Sequence, residues 1–182
     1  MDLSALPDST ITIGERSKVP GLLVVLHGSL LMPKITSLLS SGKLDATKLP
    51  QCLTITAPSN QDCYSPWPAP STRVEAPDFG GFGREFLSDI VLPTVEKYAA
   101  LATHTAQNDC PLTLLGYSLS GLCGLFEMQT TCYFDQYLLA SPSTWFPDFV
   151  KTFDTSHVRS EIRWCIASGE REGINHPEPL RS

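Results

Sequence analysis

The sequence has no apolar run long enough to cross a bilayer. The longest, residues 21–26, falls far short of the ~20 residues a membrane-spanning helix needs. Its opening residues, Met1-Asp2-Leu3-Ser4-Ala5-Leu6-Pro7-Asp8, lack the positive segment and apolar stretch of a secretory signal, so a cytoplasmic protein with no membrane partner is expected. Positive charge is scarce too: 13 Lys and Arg against 19 Asp and Glu leave a net charge of -6, and the basic residues form no cluster. Such a field repels phosphate backbones, which argues against nucleic acid as a partner. Neither a Cys-x-x-Cys nor a His-x-x-x-His spacing occurs, so no metal site is expected. The six cysteines are widely spaced and several lie in apolar segments, which in a reducing compartment reads as buried thiols. No internal repeat is visible. The one biased stretch, Tyr64-Ser65-Pro66-Trp67-Pro68-Ala69-Pro70, reads by composition as an extended surface loop.

What is present is enough for one substantial core: 182 residues, 42% of them hydrophobic, predict a single domain over 1–182. Residues 21–26, 112–115 and 162–168 read as strands buried on both faces, with weaker strands at 53–57 and 136–140. Phe82, Phe86, Ile90 and Val95 recur at helical spacing, with Glu85, Asp89, Glu96 and Lys97 on the solvent side. Pro93 predicts a kink or a fresh start within that helix. Another helix is expected from near Ser118 to about Gln129. Strands alternating with helices make the class α/β, a mostly parallel sheet with helices on both faces.

The sharpest local signal is Leu114-Leu115-Gly116-Tyr117-Ser118-Leu119-Ser120-Gly121, where a buried strand ends in Gly-x-Ser-x-small and a helix follows at once. A nucleophile elbow needs that context, because the serine sits on a tight strained turn and the residues two before and two after must let two backbones nearly touch. Gly116 and Ser120 fill those places, with Ser120 where a second glycine is usual. The competing reading makes Ser118 an N-cap at a strand-to-helix junction. The glycine-studded helix after it favours the elbow, as does Leu26-His27-Gly28-Ser29 after the first strand. Hydrolases built on such an elbow place there a loop whose N–H joins that of the residue after the nucleophile in an oxyanion hole. The expected donors are Leu119 and either Ser29 or Leu30. His27 precedes the serine, whereas the base of this fold follows it, so His27 is read as structural.

Taken in order, His27-Gly28, the block from Asp62 to Pro70, Phe79-Gly80-Gly81, Gly116–Gly121 and Ser141-Pro142-Ser143-Thr144-Trp145-Phe146 resemble the ordered motifs of the esterase D-like α/β-hydrolase family, in its siderophore (enterobactin) esterase branch. The resemblance covers nearly all of the chain after its first twenty residues. It implies the α/β-hydrolase fold, hydrolysis of a small-molecule ester through an acyl-serine on Ser118, and no cofactor. It also implies a substrate cleft bordered by His27, Gly28, Trp67, Tyr117 and Trp145, although a tryptophan is more often core than pocket wall.

By the same resemblance Glu172, in Gly169-Glu170-Arg171-Glu172, stands where the family carries its acid; its alternative is a solvated charged turn. Family members continue through another helix, strand and histidine-bearing loop, so the fold is expected to be shortened at the C-terminus and to lack that region. Of the four histidines, His104 and His157 read as surface residues, and only His176 has the chain order of a base. Glu172 and His176 are therefore the provisional partners of Ser118. Serine is a poor nucleophile without a base, so the alternative is a catalytically inactive hydrolase-fold binding protein or a truncated remnant. Acyl transfer to another acceptor would share the first half-reaction. The strand at 162–168 is expected to form a bare sheet edge, which predicts self-association. Sedimentation at rising protein concentration should show a species heavier than the monomer, and an unchanging monomer would contradict this.

Overall fold

Leu22, Leu23, Val24, Val25 and Leu26 are each at most 5% exposed, the signature of a central strand covered on both faces. A computed structural model describes residues 10–13, 17–71, 76–102 and 111–169 of the chain. Its elements in order are β1 (Thr10–Ile13), β2 (Val19–Leu26), α1 (Gly28–Ser40), β3 (Pro50–Thr56), α2 (Asn60–Cys63), β4 (Pro68–Ala69), β5 (Phe79–Gly80), α3 (Gly83–Phe86), a π-helical turn (Leu87–Val91), α4 (Leu92–Ala102), β6 (Leu112–Tyr117), α5 (Leu119–Thr130), β7 (Gln136–Ala140), α6 (Phe149–Thr152) and β8 (Arg163–Ala167).

Six strands form one sheet in the order β1-β3-β2-β6-β7-β8, parallel except for β1, which pairs antiparallel with β3. The short β4 and β5 form a separate antiparallel pair. Parallel strands need crossovers, and α1, the α3–α4 stretch and α5 supply them. One face of the sheet carries the larger core, with Leu22, Val24, Leu53, Ile55, Leu114 and Leu139 packed among Phe86, Val91, Val95, Leu122 and Phe126. The other face is a smaller cluster of Leu23, Val25 and Leu31, against which Met32, Ile35 and Leu115 pack.

The helix expected from Phe82 to Lys97 is one continuous rod with a defect. Pro93 has no N–H to return to the carbonyl four residues before it, and the π-helical turn Leu87–Val91 stands directly ahead of it. That adjustment keeps Phe86, Val91 and Val95 all buried. The expected burial of the last strand needs correction. All of β8 is exposed, Trp164 at 61% and Ile166 at 44%, because among the described residues it is the outermost strand and no helix packs on it. Cys63, Cys123 and Cys132 are buried as expected, Cys52 is half-buried and Cys165 is exposed on β8; Cys110 lies outside the described residues. Among the described residues no helix is long and apolar enough to cross a membrane.

Among the described residues one carboxyl is buried completely. Glu127, near the end of α5, accepts the Tyr133 N–H at 2.8 Å and the Tyr137 hydroxyl, tying the helix to β7 and to the turn between them. Burial pushes its carboxyl above the usual range; the hydrogen bonds from Tyr137 and Tyr133 pull the other way without cancelling the shift. A raised folded-state value means that the group's favourable contribution is complete below the unfolded value and disappears as pH rises through the folded one. Glu127→Gln, nearly the same shape and never charged, should remove this penalty. Urea unfolding from about pH 4 to 8 should show wild type losing ground to the variant by about 1.4 kcal/mol per unit of raised pKa. Parallel pH profiles would sink the assignment of a raised carboxyl pKa to Glu127.

Candidate active site

The parallel strands β2, β6, β7 and β8 all end at the same edge of the sheet, the edge at which open α/β sheets form their crevices. Ser118 stands there between β6 and α5 at φ 57°, ψ -122°, a conformation that residues with a side chain rarely adopt. Three backbone hydrogen bonds hold it. Its N–H donates to the Ala140 carbonyl at 3.1 Å, and its own carbonyl accepts from Leu122 N–H at 3.0 Å and Ser143 N–H at 3.1 Å. The serine does occupy the N-cap position of α5, yet its hydroxyl accepts no N–H from the first helical turn. It lies instead 3.3 Å from Ser143 Oγ. A capping serine would have its side chain turned onto the helix; this one is turned away, as in an elbow.

The residues flanking the turn explain why it closes so tightly. A Cβ on Gly116 would sit 2.4 Å from the Ser120 carbonyl oxygen, so no larger residue fits without moving β6 or α5. Ser120, in the place of a second glycine, is fully buried, and its hydroxyl is used across the turn, accepting Tyr117 N–H at 2.9 Å. The substitution thus adds a clamp rather than a clash.

Leu119 is the first residue of α5, and among the described residues its N–H has no acceptor. The positive end of the helix dipole adds to its attraction for a developing negative oxygen. The two other expected donors are committed elsewhere. Ser29 N–H reaches Thr56 Oγ1 at 3.3 Å and Leu30 N–H the His27 carbonyl at 3.0 Å. The reason is that no loop follows β2: His27, at φ 65°, turns the chain straight into α1. The amide left without an acceptor among the described residues is that of Gly28, the first residue of α1, as Leu119 is of α5. The rule that a helix's first amides lack internal partners was the signal that would have pointed to it.

His27 does not face Ser118 in any hydrogen bond. Its Nε2 is 3.0 Å from Asn60 Nδ2, so with the amide donating, the ring proton sits on Nδ1, and burial holds its pKa below the usual value. Its ring lies 5.9 Å from that of the buried Tyr64. The expected cleft residues separate into two kinds. Trp67 is half-buried among Phe126, Phe146 and Phe149, its ring stacked on the last at 6.1 Å. Tyr117 and Trp145 are exposed at 36% and 41%, the second beside Phe79 at 6.1 Å. His157 is exposed on a turn before β8. Glu172, His176 and His104 lie outside the described residues, and the chain runs out of β8 through Ser168 and Gly169 at the sheet edge that carries Ser118. Ser143, buried and beside the serine, was not singled out from the sequence because its block was read only as a motif.

A mostly parallel sheet with an elbow of this geometry defines the α/β-hydrolase fold. No family model matches the chain. It is 30% identical over 156 residues to YbbA, an uncharacterised protein of Bacillus subtilis (strain 168), which aligns with 82% of this chain. The chain spans 60% of that protein's length. Among solved structures it matches siderophore hydrolase EstA from Aspergillus nidulans with a TM-score of 0.60 at 19% identity, over 94% of this chain and 73% of that one. It also matches an IroE-like serine hydrolase from Shewanella oneidensis with a TM-score of 0.58 at 20% identity, over 79% and 49% of the two chains. The fold is therefore that of the siderophore hydrolases.

The strain at Ser118 and the contact at Gly116 have opposite consequences for stability. Ser118→Gly should raise the free energy of unfolding by about 1 kcal/mol by relieving the positive φ. Gly116→Ala should lower it by about 1–3 kcal/mol through overpacking. Urea midpoints that moved the other way for either variant would refute the elbow as described.

Proposed function

We propose that this chain is a serine-dependent carboxyl-ester hydrolase of the siderophore-esterase type, acting in the cytoplasm on a small-molecule ester and needing no cofactor. The observation that carries the reading is the Ser118 turn, where a strained serine, aimed away from its own helix, stands beside an amide with no acceptor among the described residues. The structural neighbours, a siderophore hydrolase and a serine hydrolase, support the same class.

In this mechanism Ser118 Oγ attacks the ester carbonyl carbon while His176 takes its proton, with Glu172 orienting the imidazole. The carbonyl oxygen becomes an oxyanion, met by Leu119 N–H at the mouth of α5 and by Gly28 N–H at the mouth of α1. Collapse expels the alcohol, which receives the proton, and water then repeats the sequence on the acyl-serine. Trp145 and Tyr117, the exposed aromatic rings among the expected cleft residues, are the surfaces offered to the substrate. Among the described residues the one hydrogen-bonding partner of Ser118 Oγ is Ser143, and the reading assigns the base to His176, the histidine that follows the serine and Glu172 in chain order.

Labelling by a fluorescent fluorophosphonate across about pH 5 to 9 tests this reading, because the reagent needs an activated serine and not a particular substrate. The intact chain should label at a rate that rises with pH as the base loses its proton. Ser118→Ala should abolish labelling, and His176→Ala should slow it at least about 10²-fold. Labelling no faster than in Ser118→Ala would mean a hydrolase fold used for binding rather than for hydrolysis.

A further inference from the structure

Ser143 has none of the features of a surface serine. It is 2% exposed, and among the described residues its hydroxyl has a single partner, Ser118 Oγ at 3.3 Å. A buried hydroxyl without other partners is costly, so its position calls for a reason. The loop that carries it is fastened to the elbow at three further points. Ala140 accepts the Ser118 N–H, Ser143 N–H donates back to the Ser118 carbonyl, and Pro142 packs against α5 where a Cβ on Gly121 would come within 3.1 Å of its Cα. Ser141, at φ 44°, turns the chain out of β7 in the strained region that makes this possible.

We infer that Ser143 is the positioning residue for the nucleophile: it donates its hydroxyl proton to Ser118 Oγ, which sets the rotamer of Ser118 and leaves that serine's own proton free to point towards a base. The inference rests on the proposed role of Ser118. As the base removes that proton and Oγ gains charge, the Ser143 O–H tightens onto it; when Oγ bonds the carbonyl carbon, Ser143 keeps its proton. In deacylation the same bond meets Oγ as it leaves the carbonyl. A separation of 3.3 Å is long for two hydroxyls, and catalytic hydrogen bonds are often long until charge develops. The titratable groups on the elements around the elbow are Tyr117 on β6, Cys123 and Glu127 in α5 and Tyr137 on β7, with His27 at the start of α1, and none of them is a hydrogen-bonding partner of Ser118 Oγ.

The test replaces the nucleophile with a thiol so that it does not depend on turnover. In the full chain, the pH dependence of alkylation is measured for Ser118→Cys, with Ser118→Ala as the background for the native cysteines. It is measured again for Ser118→Cys combined with Ser143→Ala, Ser143→Thr or Ser143→Val. A hydrogen bond to the thiolate lowers its pKa, so Ser143→Ala and Ser143→Val should raise it by about half a unit to one unit while Ser143→Thr leaves it near the parent. The Thr and Val variants match in shape, which keeps the comparison decisive if the Ala variant unfolds. In parallel, fluorophosphonate labelling of the Ser118 chain should fall about tenfold in Ser143→Ala and recover in Ser143→Thr. A thiol pKa indifferent to all three changes overturns the inference, whether or not the intact chain labels. A shifted thiol pKa in a chain that does not label leaves the Ser143 bond standing and removes the ester-hydrolase reading instead.

Discussion

Everything at the candidate site depends on the near-contact of two backbones, that of Gly116 at the end of β6 and that of Ser120 in the first turn of α5. Their closeness forces the chain between them into a positive-φ turn, and the turn lifts a serine clear of the helix that follows. The helix in turn is held down along most of its length: Ser120 to Met128 are buried without interruption, and Glu127 is bonded to β7 and to the connecting turn. Local strain of one to a few kcal/mol persists only where the surroundings over-determine it, and here a buried helix, a buried strand and a loop all do so.

The sheet was legible in the sequence to the extent that its strands were buried. Leu22 to Leu26 and Leu112 to Leu115 are apolar because helices cover them, and β7 was found at its full extent from a weaker pattern. The same logic failed for β8, whose Trp164, Cys165 and Ile166 look like core and are exposed. Apolar composition records what a strand packs on, and among the described residues β8 packs only on β7. The elbow was legible because its requirement is local: a small residue two before, a small residue two after, a strand and a helix. The turn after β2 was not, since nothing in Leu26-His27-Gly28-Ser29 says whether a loop or a helix follows. The structure starts α1 immediately and so uses up the Ser29 and Leu30 amides.

Ser120 and Ser143 show a related limit. Both are serines beside Ser118, and by residue type they are interchangeable. Burial and partners separate them: Ser120 spends its hydroxyl on the backbone of Tyr117, Ser143 on the side chain of Ser118. Trp67 and Trp145 divide in the same manner, one ring enclosed by three phenylalanines and the other open to solvent. Roles of this kind follow from which neighbour arrives from elsewhere in the chain, and that is long-range information.

The loop from Ser141 to Phe146 also changes what kind of property the geometry of Ser118 is. Because Ser118 is bonded through its N–H to Ala140 and through its carbonyl to Ser143, the elbow cannot keep its shape while that loop opens. Native proteins open in cooperative blocks, and here the block includes the end of β7 together with the first turn of α5. The shape of the turn at Ser118 is thereby tied to the closed fraction of a segment more than twenty residues further along the chain.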